Sequence, residues 1–119
     1  MTRSNPTFLT PAAFQILLVL TGGERHGYEI MIEIAHERGG TLRLGPTTLY
    51  RTIRTLLKAG LIEETDERPD PELDDQRRRY YRLTPAGREA ARAEIERLRK
   101  LVAVAETKPL SENLAKESS

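Results

Sequence analysis

The sequence predicts a mainly α-helical fold with one small β-hairpin and a long helix at its C-terminal end. Two features carry this prediction: stripes of apolar residues at helical spacing that glycine and proline interrupt, and two β-rich runs on either side of a polar loop. A chain of 119 residues corresponds to one small domain with short appendages. Because only 5% of the residues are aromatic, the core must be largely aliphatic, and so thin a core is often completed by a second subunit.

Three helices are predicted in the first half of the chain. They run from Thr10-Pro11 to Gly22-Gly23, from about His26 to Arg38, and from Gly45-Pro46 to Ala59-Gly60. Threonine before proline is a typical helix start, and glycine commonly follows a helix end. The first helix is apolar nearly all round, so we expect it to be enclosed on several sides. The alternating run 41–44 predicts a short strand before the third helix.

The second half predicts a hairpin and then the long helix. The strands are Leu61–Thr65 and Arg79–Leu83, joined by a polar loop, and Thr84-Pro85 opens a helix that continues to about Glu106. Three helices followed by a hairpin are the pattern of a winged helix-turn-helix, a DNA-binding fold. The expected organisation is an N-terminal arm (1–9), a winged helix-turn-helix DNA-binding domain (10–84), a C-terminal dimerisation helix (85–106) and a disordered tail (107–119).

The third helix carries a polar face opposite its apolar stripe. This face has basic residues but no acidic residue between Gly45 and Leu61, whereas a merely solvated face usually mixes both signs. Such a helix fits the major groove of DNA, where arginine pairs with guanine and threonine contacts a phosphate or a thymine methyl. Tyr50 lies at the border of the stripe, where it either binds a phosphate or packs. The predicted DNA-binding residues of this helix are Thr47, Thr48, Tyr50, Arg51, Arg54 and Lys58.

Position along this helix suggests different contacts for different residues. Groove-reading helices use their N-terminal residues on bases. We therefore expect Thr47, Thr48 and Arg51 at base edges or adjacent phosphates. Arg54 and Lys58, further along, are expected mainly at phosphates. The alternative is an exposed basic face with no partner.

Three adjacent arginines mark the end of the hairpin loop, the wing of the fold. Guanidinium groups at a hairpin tip attract phosphates or enter a narrow minor groove, so Arg77 and Arg78 are predicted to bind DNA. Acidic residues of the same loop are alternative partners for them. In the second strand, alternation places Tyr81 and Leu83 inward and leaves Arg82, with Arg78, on the DNA side.

The last helix predicts self-association. Its apolar residues alternate in spacings of three and four, the pattern of a coiled-coil seam. A monomer that lays this helix on its own domain is the alternative. A two-fold dimer would place two reading helices about 34–36 Å apart on a palindromic operator. The predicted dimerisation residues are Ala91, Ile95, Leu98, Leu101, Val102 and Ala105.

Composition argues against several other classes of protein. The absence of cysteine excludes disulfides and thiolate metal sites and fits a cytoplasmic location, and no signal peptide or membrane-spanning run is evident. The two histidines, His26 and His36, fit no known metal-ligand spacing, and there is no nucleophile elbow or phosphate loop. We therefore predict no enzyme activity, no metal and no cofactor. The net charge is only +1, so affinity for DNA must come from local basic clusters.

Three segments together resemble the PadR family of transcriptional regulators. They are His26–Ile30, Gly45–Ile62 and Arg78–Arg88, and the resemblance covers about residues 9–105. It implies a dimeric repressor with a winged helix-turn-helix and a C-terminal dimerisation helix. The DNA contacts that it implies fall on Thr47, Thr48, Tyr50, Arg51, Arg77 and Arg78.

The resemblance is strongest to the family's shorter members, which have a single C-terminal helix. Some of those bind flat aromatic compounds between the subunits, where aromatic side chains stack on the ligand. Here the last helix has no aromatic residue and only Phe8 and Phe14 could approach such a pocket, which argues against this kind of sensing. A small-molecule inducer is left open, and its identity is unknown. The alternative function is a winged-helix protein-interaction module without DNA binding, against which the acid-free third helix argues.

Overall fold

A computed structural model describes residues 9–37, 43–65 and 79–110. Its elements are α1 (Pro11–Leu20), β1 (Arg25–His26), α2 (Gly27–Ala35), α3 (Pro46–Lys58), β2 (Ile62–Thr65), β3 (Tyr80–Leu83) and α4 (Pro85–Glu106). The three strands form an antiparallel sheet in the order β1-β3-β2. Three helices and a hairpin form the predicted winged helix-turn-helix. The expected arm up to residue 8, the wing loop with Arg77 and Arg78, and the tail from residue 111 lie outside the described residues.

Local sequence signals set the ends of the helices. The Thr10 hydroxyl accepts the Ala13 N–H at 3.1 Å, which caps α1 as predicted. Gly60, with a φ of +77°, ends α3 in the left-handed conformation that glycine adopts without strain. The Leu61 N–H then donates to the Leu56 carbonyl and the Gly60 N–H to the Leu57 carbonyl, which closes the helix in a Schellman motif.

The end of α3 and the start of α4 form one hydrogen-bonded junction. The Thr84 hydroxyl accepts the Gly87 N–H at 3.0 Å and thereby caps α4. The same hydroxyl donates to the Gly60 carbonyl at 2.7 Å, and the Thr84 N–H donates to the Leu61 carbonyl at 3.1 Å. The C-terminal turn of α3 is therefore bonded directly to the N-cap of α4.

Two predictions about the segment before α3 were wrong. Helix α2 ends at Ala35, three residues before the expected Arg38, and Arg43 and Leu44 are not in a strand. The rest of that expected strand, residues 41–42, lies outside the described residues. A strand forms instead at β1, where Arg25 and His26 pair with the middle strand β3.

Helix α1 lies at the centre of the core. Ile16 and Leu17 are fully buried, and α1 contacts α2, α3, α4 and β3, as its all-round apolar sequence predicts. A fully buried leucine or isoleucine stabilises a fold by about 1.5–3 kcal/mol relative to an exposed one. The core is aliphatic except for Tyr81. None of the helices among the described residues is long and apolar enough to cross a membrane.

Helix α4 changes its surroundings along its length. Ala91 belongs to the core of the domain, and Glu94 is also buried. Beyond Leu98 every residue of the helix is exposed, including Leu101, Val102 and Val104, which are 50–55% exposed. The first half of α4 thus completes the domain, and its second half presents apolar side chains to solvent.

Candidate nucleic-acid interface

Helix α3 separates its core residues from its predicted DNA-binding residues. Leu49, Ile53 and Leu56 are at most 2% exposed and fix the helix on the core. Pro46 at the first helical position and the Gly60 end define its length. The five residues predicted to bind bases and phosphates all lie on the exposed surface: Thr47, Thr48, Arg51, Arg54 and Lys58.

The cations on this surface have no ion-pair partner among the residues that the structure describes. No ion pair joins Arg51, Arg54 or Lys58 to another residue in the described ranges, although many other arginines there are paired with glutamates. Their guanidinium and ammonium groups therefore keep their hydrogen-bond donors for an external partner. All three lie on one helix without an acidic residue, so their positive potentials add.

The four threonines of α3 differ in what their hydroxyl groups can do. The Thr52 hydroxyl donates to the Thr48 carbonyl at 2.8 Å and the Thr55 hydroxyl donates to the Arg51 carbonyl at 3.2 Å. These two hydroxyls have already used their only proton. The hydroxyls of Thr47 and Thr48 make no hydrogen bond with another described residue, so they keep a proton for a phosphate or a base acceptor.

Tyr50 is half-buried and packs against the start of α2. An added Cβ on Gly27 would stand only 2.5 Å from the Tyr50 hydroxyl oxygen. The Tyr50 hydroxyl also lies close enough to the Tyr81 phenol to act on its ionisation. Burial first, and then Glu64 and Tyr50, raise the pKa of Tyr81 above its ordinary value. The predicted contact between Tyr50 and DNA stays untested.

The strands of the wing contain cross-strand ion pairs. Arg79 binds both carboxylate oxygens of Glu64, at 2.8 and 3.2 Å. Arg82 binds the opposing Glu63 at 2.6 Å and lies 3.7 Å from Glu24. Arg82 is thus engaged within the sheet, contrary to the expectation that it is available to DNA.

The alternation of β3 is as predicted for the inward side chains. Tyr81 is 5% exposed and packs in the core, and Leu83 is half-buried against it. The structure therefore confirms which side chains of β3 point inward. Arg77 and Arg78 lie outside the described residues, and their predicted contact with DNA stays a prediction.

The predicted dimerisation residues divide into two groups. Ala91 is buried in the core of its own domain, and Ile95 and Leu98 are half-buried. Leu101, Val102 and Ala105 are exposed. Only the C-terminal part of this set is therefore open to a second subunit, and the dimerisation itself stays a prediction.

One buried charge was not singled out by the sequence. The Glu94 side chain is 6% exposed and forms a two-point ion pair with Arg97, one turn further along α4. The hydrogen bond from Arg97 lowers the pKa of Glu94, while Glu94 raises the pKa of Arg97. The sequence of α4 has many acidic and basic residues, and nothing in their spacing marks Glu94 as buried. Only the packing of α4 on the domain shows this.

Neither histidine belongs to a metal site in the part of the chain that is described. His26 caps α2, because its Nδ1 accepts the Glu29 N–H while the Glu29 carboxylate accepts the His26 N–H. His36 lies at the other end of α2, with Nδ1 3.1 Å from the Ile32 carbonyl oxygen. No group of three or more potential ligand residues in the described ranges is arranged to hold a metal ion. Phe14 is half-buried against the core, and Phe8 lies outside the described residues.

The fold, the exposed basic helix and the adjoining wing define a winged helix-turn-helix protein. The model of the PadR-like family of transcriptional regulators matches residues 16–93. This chain therefore belongs to the PadR-like family, whose members are regulators rather than enzymes. A search of curated proteins found no match.

Solved structures show the same fold. A transcriptional regulator from Clostridium thermocellum is 28% identical, with a TM-score of 0.68 over 81% of this chain and 87% of that one. A PadR family transcription regulator from Clostridium difficile is 20% identical, with a TM-score of 0.69 over 82% of this chain and 97% of that one. The PadR protein of Bacillus subtilis, solved in complex with operator DNA, is 23% identical, with a TM-score of 0.60 over 70% of this chain and 45% of that one.

Proposed function

We propose that this protein is a transcriptional repressor that binds a palindromic operator in double-stranded DNA as a homodimer. The observation that carries the proposal is the exposed face of α3, where Arg51, Arg54 and Lys58 have no ion-pair partner among the described residues and no acidic residue intervenes. A helix with such a face fits the major groove in shape and charge. The operator complex of the Bacillus subtilis protein, which has the same fold, supports this use of the fold.

The free donors of α3 divide between bases and phosphates. Thr47, Thr48 and Arg51 lie in the first half of the helix and contact base edges or adjacent phosphates. Arg54 and Lys58 bind phosphates on one side of the groove, and the wing residues Arg77 and Arg78 bind phosphates or the minor groove. About four phosphate contacts in each subunit would give a slope of about −7 for log K against log salt concentration.

The exposed end of α4 supports the homodimer. Leu101, Val102 and Val104 are each about half exposed, which is costly in water and is relieved when a second copy packs there. Two-fold pairing of α4 repeats the reading helix on the same side of the assembly, which requires two half-sites related by symmetry. A dimer across a promoter excludes polymerase from the same DNA, and this is the basis for proposing repression.

Binding of labelled duplexes from the region upstream of the protein's own gene tests the proposal. Wild-type protein should bind one palindromic duplex with a steep salt dependence, measured by fluorescence anisotropy. Lys58→Glu, on the α3 face, should lower the affinity at least tenfold. Lys100→Glu, an identical charge change on the exposed side of α4, should leave it nearly unchanged. Absence of salt-dependent binding to every palindromic duplex would refute DNA recognition.

Assembly and repression are tested separately. Val102→Glu should give a monomer by light scattering, because it places a charge on the exposed apolar end of α4. Lys100→Glu is again the control and should remain a dimer. A reporter gene behind the bound promoter should be more active in cells that lack the protein. An unchanged dimer in Val102→Glu, or a reporter that loses activity without the protein, would contradict that part of the proposal.

A further inference from the structure

Helices α2 and α3 approach each other closely where residue 27 is a glycine and has no side chain. A Cβ atom on Gly27 would lie 2.5 Å from the Tyr50 hydroxyl oxygen, 2.7 Å from Cε1 and 2.8 Å from Cζ. Real Cβ atoms essentially never come within 3.0 Å of a neighbour. The Tyr50 ring therefore occupies the space that any other residue at position 27 would need, and the two helices touch through this ring.

The start of α2 is in turn bonded to the wing. Arg25 of β1 pairs with Tyr81, which is buried on β3, the strand that is bonded to both of its neighbours. His26, directly before Gly27, pairs with Tyr80 of β3, and the two rings meet edge to face with centroids 5.3 Å apart. The Tyr50 ring thus packs beside Gly27, the residue that directly follows a strand of the wing sheet.

The Tyr50 hydroxyl itself is not held by the fold. It makes no hydrogen bond with another described residue, and it lies beside the Gly27 backbone. Its fixed orientation therefore comes from the packing of the ring. This separates the contribution of the ring, which a phenylalanine keeps, from that of the hydroxyl, which a phenylalanine lacks.

We propose that Tyr50 is a positioning residue that holds the reading helix against the start of α2, and through β1 against the wing sheet, and that it supports DNA affinity through this packing rather than through a phosphate contact. The proposal rests on the proposed function for its consequence on DNA. The α3 surface and the wing must approach one duplex together, so a rotation of α3 relative to β3 moves donors on one element away from their phosphates.

Three variants test the proposal on the full chain. Tyr50→Phe keeps the ring and should change operator affinity less than about twofold, with the salt slope unchanged. Gly27→Ala takes the space of the outer ring atoms of Tyr50 and displaces the ring from the start of α2, so the packing between α2 and α3 is weakened and affinity should fall several-fold. Adding Tyr50→Leu to Gly27→Ala removes the clashing ring atoms, so the double variant should bind more tightly than Gly27→Ala alone. A fall in stability alone would not produce this rescue, since Tyr50→Leu by itself removes packing.

Hydrogen exchange of the free protein provides a readout that does not require DNA. Tyr50→Leu should raise amide exchange in α3 and in β3 together, whereas Tyr50→Phe should leave both protected. A several-fold loss of affinity and a shallower salt slope in Tyr50→Phe would show a phosphate contact and overturn the proposal. So would a double variant no better than Gly27→Ala, or unchanged exchange in Tyr50→Leu. If wild-type protein binds no duplex, the proposed function fails, and the exchange data alone decide whether Tyr50 holds α3.

Discussion

Replacing Gly87 with alanine should push α4 away from the start of β2 and lower the stability of the domain. A Cβ atom there would lie 1.9 Å from the Leu61 carbonyl oxygen and 2.9 Å from Cδ1 of Leu83. The carbonyl is part of the backbone and cannot rotate away as a long side chain can. Restoring an ordinary contact of 3.4 Å requires α4 to move by about 1.5 Å relative to the start of β2.

The size of the effect follows from the contacts at that junction. The movement breaks the two hydrogen bonds from Thr84 to the Gly60 and Leu61 carbonyls, each of which stabilises the fold by about 1 kcal/mol. Overpacking costs about 1–3 kcal/mol more, while the better helix propensity of alanine returns about 1 kcal/mol. The net loss is about 2–4 kcal/mol, which should lower the Tm by about 10 °C or more for a chain of this size.

Thermal unfolding followed by circular dichroism, at one fixed protein concentration, measures this change. Gly22→Ala is the matched control, because its added Cβ would lie 3.2 Å from the flexible end of Arg25 and no closer to any backbone atom than 3.5 Å. It should shift stability by less than about 0.5 kcal/mol. A Tm for Gly87→Ala within about 2 °C of the wild-type value would show that the junction yields easily and would refute the reasoning.

Three other outcomes are expected. Arg51→Ala should reduce the preference for the operator over a mismatched duplex, whereas Lys58→Ala should weaken binding to both about equally; anisotropy titrations that show the same loss of preference would contradict these roles. Thr47→Val should weaken operator binding, because it removes a free hydroxyl donor. Thr55→Val should not, since the Thr55 hydroxyl already donates within the helix at 3.2 Å. An equal loss of affinity in the two variants would contradict this assignment. The lowered pKa of Glu94 means that its ionised form stabilises the fold at neutral pH and that this contribution disappears as acid protonates it. Glu94→Gln should therefore reduce urea stability at pH 7 by more than it does in acid, the difference shrinking as the pH falls through the lowered pKa, and an equal deficit at every pH would count against this.

The sequence was sufficient for elements whose signals are local. Helix ends are specified by hydrogen bonds to residues three positions away. Thr10 and Thr84, each before a proline, start a helix in this way, and Gly60 ends one. The exposed face of α3 was also predictable, because one side of that helix had to be apolar to pack on α1. These features depend on spacing within a single element.

Features that depend on distant partners were not predictable. Strand β1 has only two residues, and it exists because Arg25 and His26 meet β3 more than fifty positions later. The ion pair of Arg82 with Glu63 was not predictable, because it depends on the register in which β2 and β3 pair. The surroundings of Tyr50 depend on the absence of a side chain at Gly27, on another helix. The spacing of residues along the sequence does not predict contacts of this kind, because they join separate elements.

The hydrogen-bonded junction at Thr84 makes α4 a lever arm. The helix has 22 residues and so extends about 33 Å from a fulcrum that is bonded to the last turn of α3. Because the first half of α4 is also packed on the domain, the helix and the domain turn together, and a rotation of about 10° displaces the far end of α4 by about 6 Å. In the proposed dimer, a change in how the two exposed helix ends meet is therefore transmitted as a small rotation of each reading helix. The distance between the two reading helices would then be adjusted at the end of the molecule farthest from the DNA.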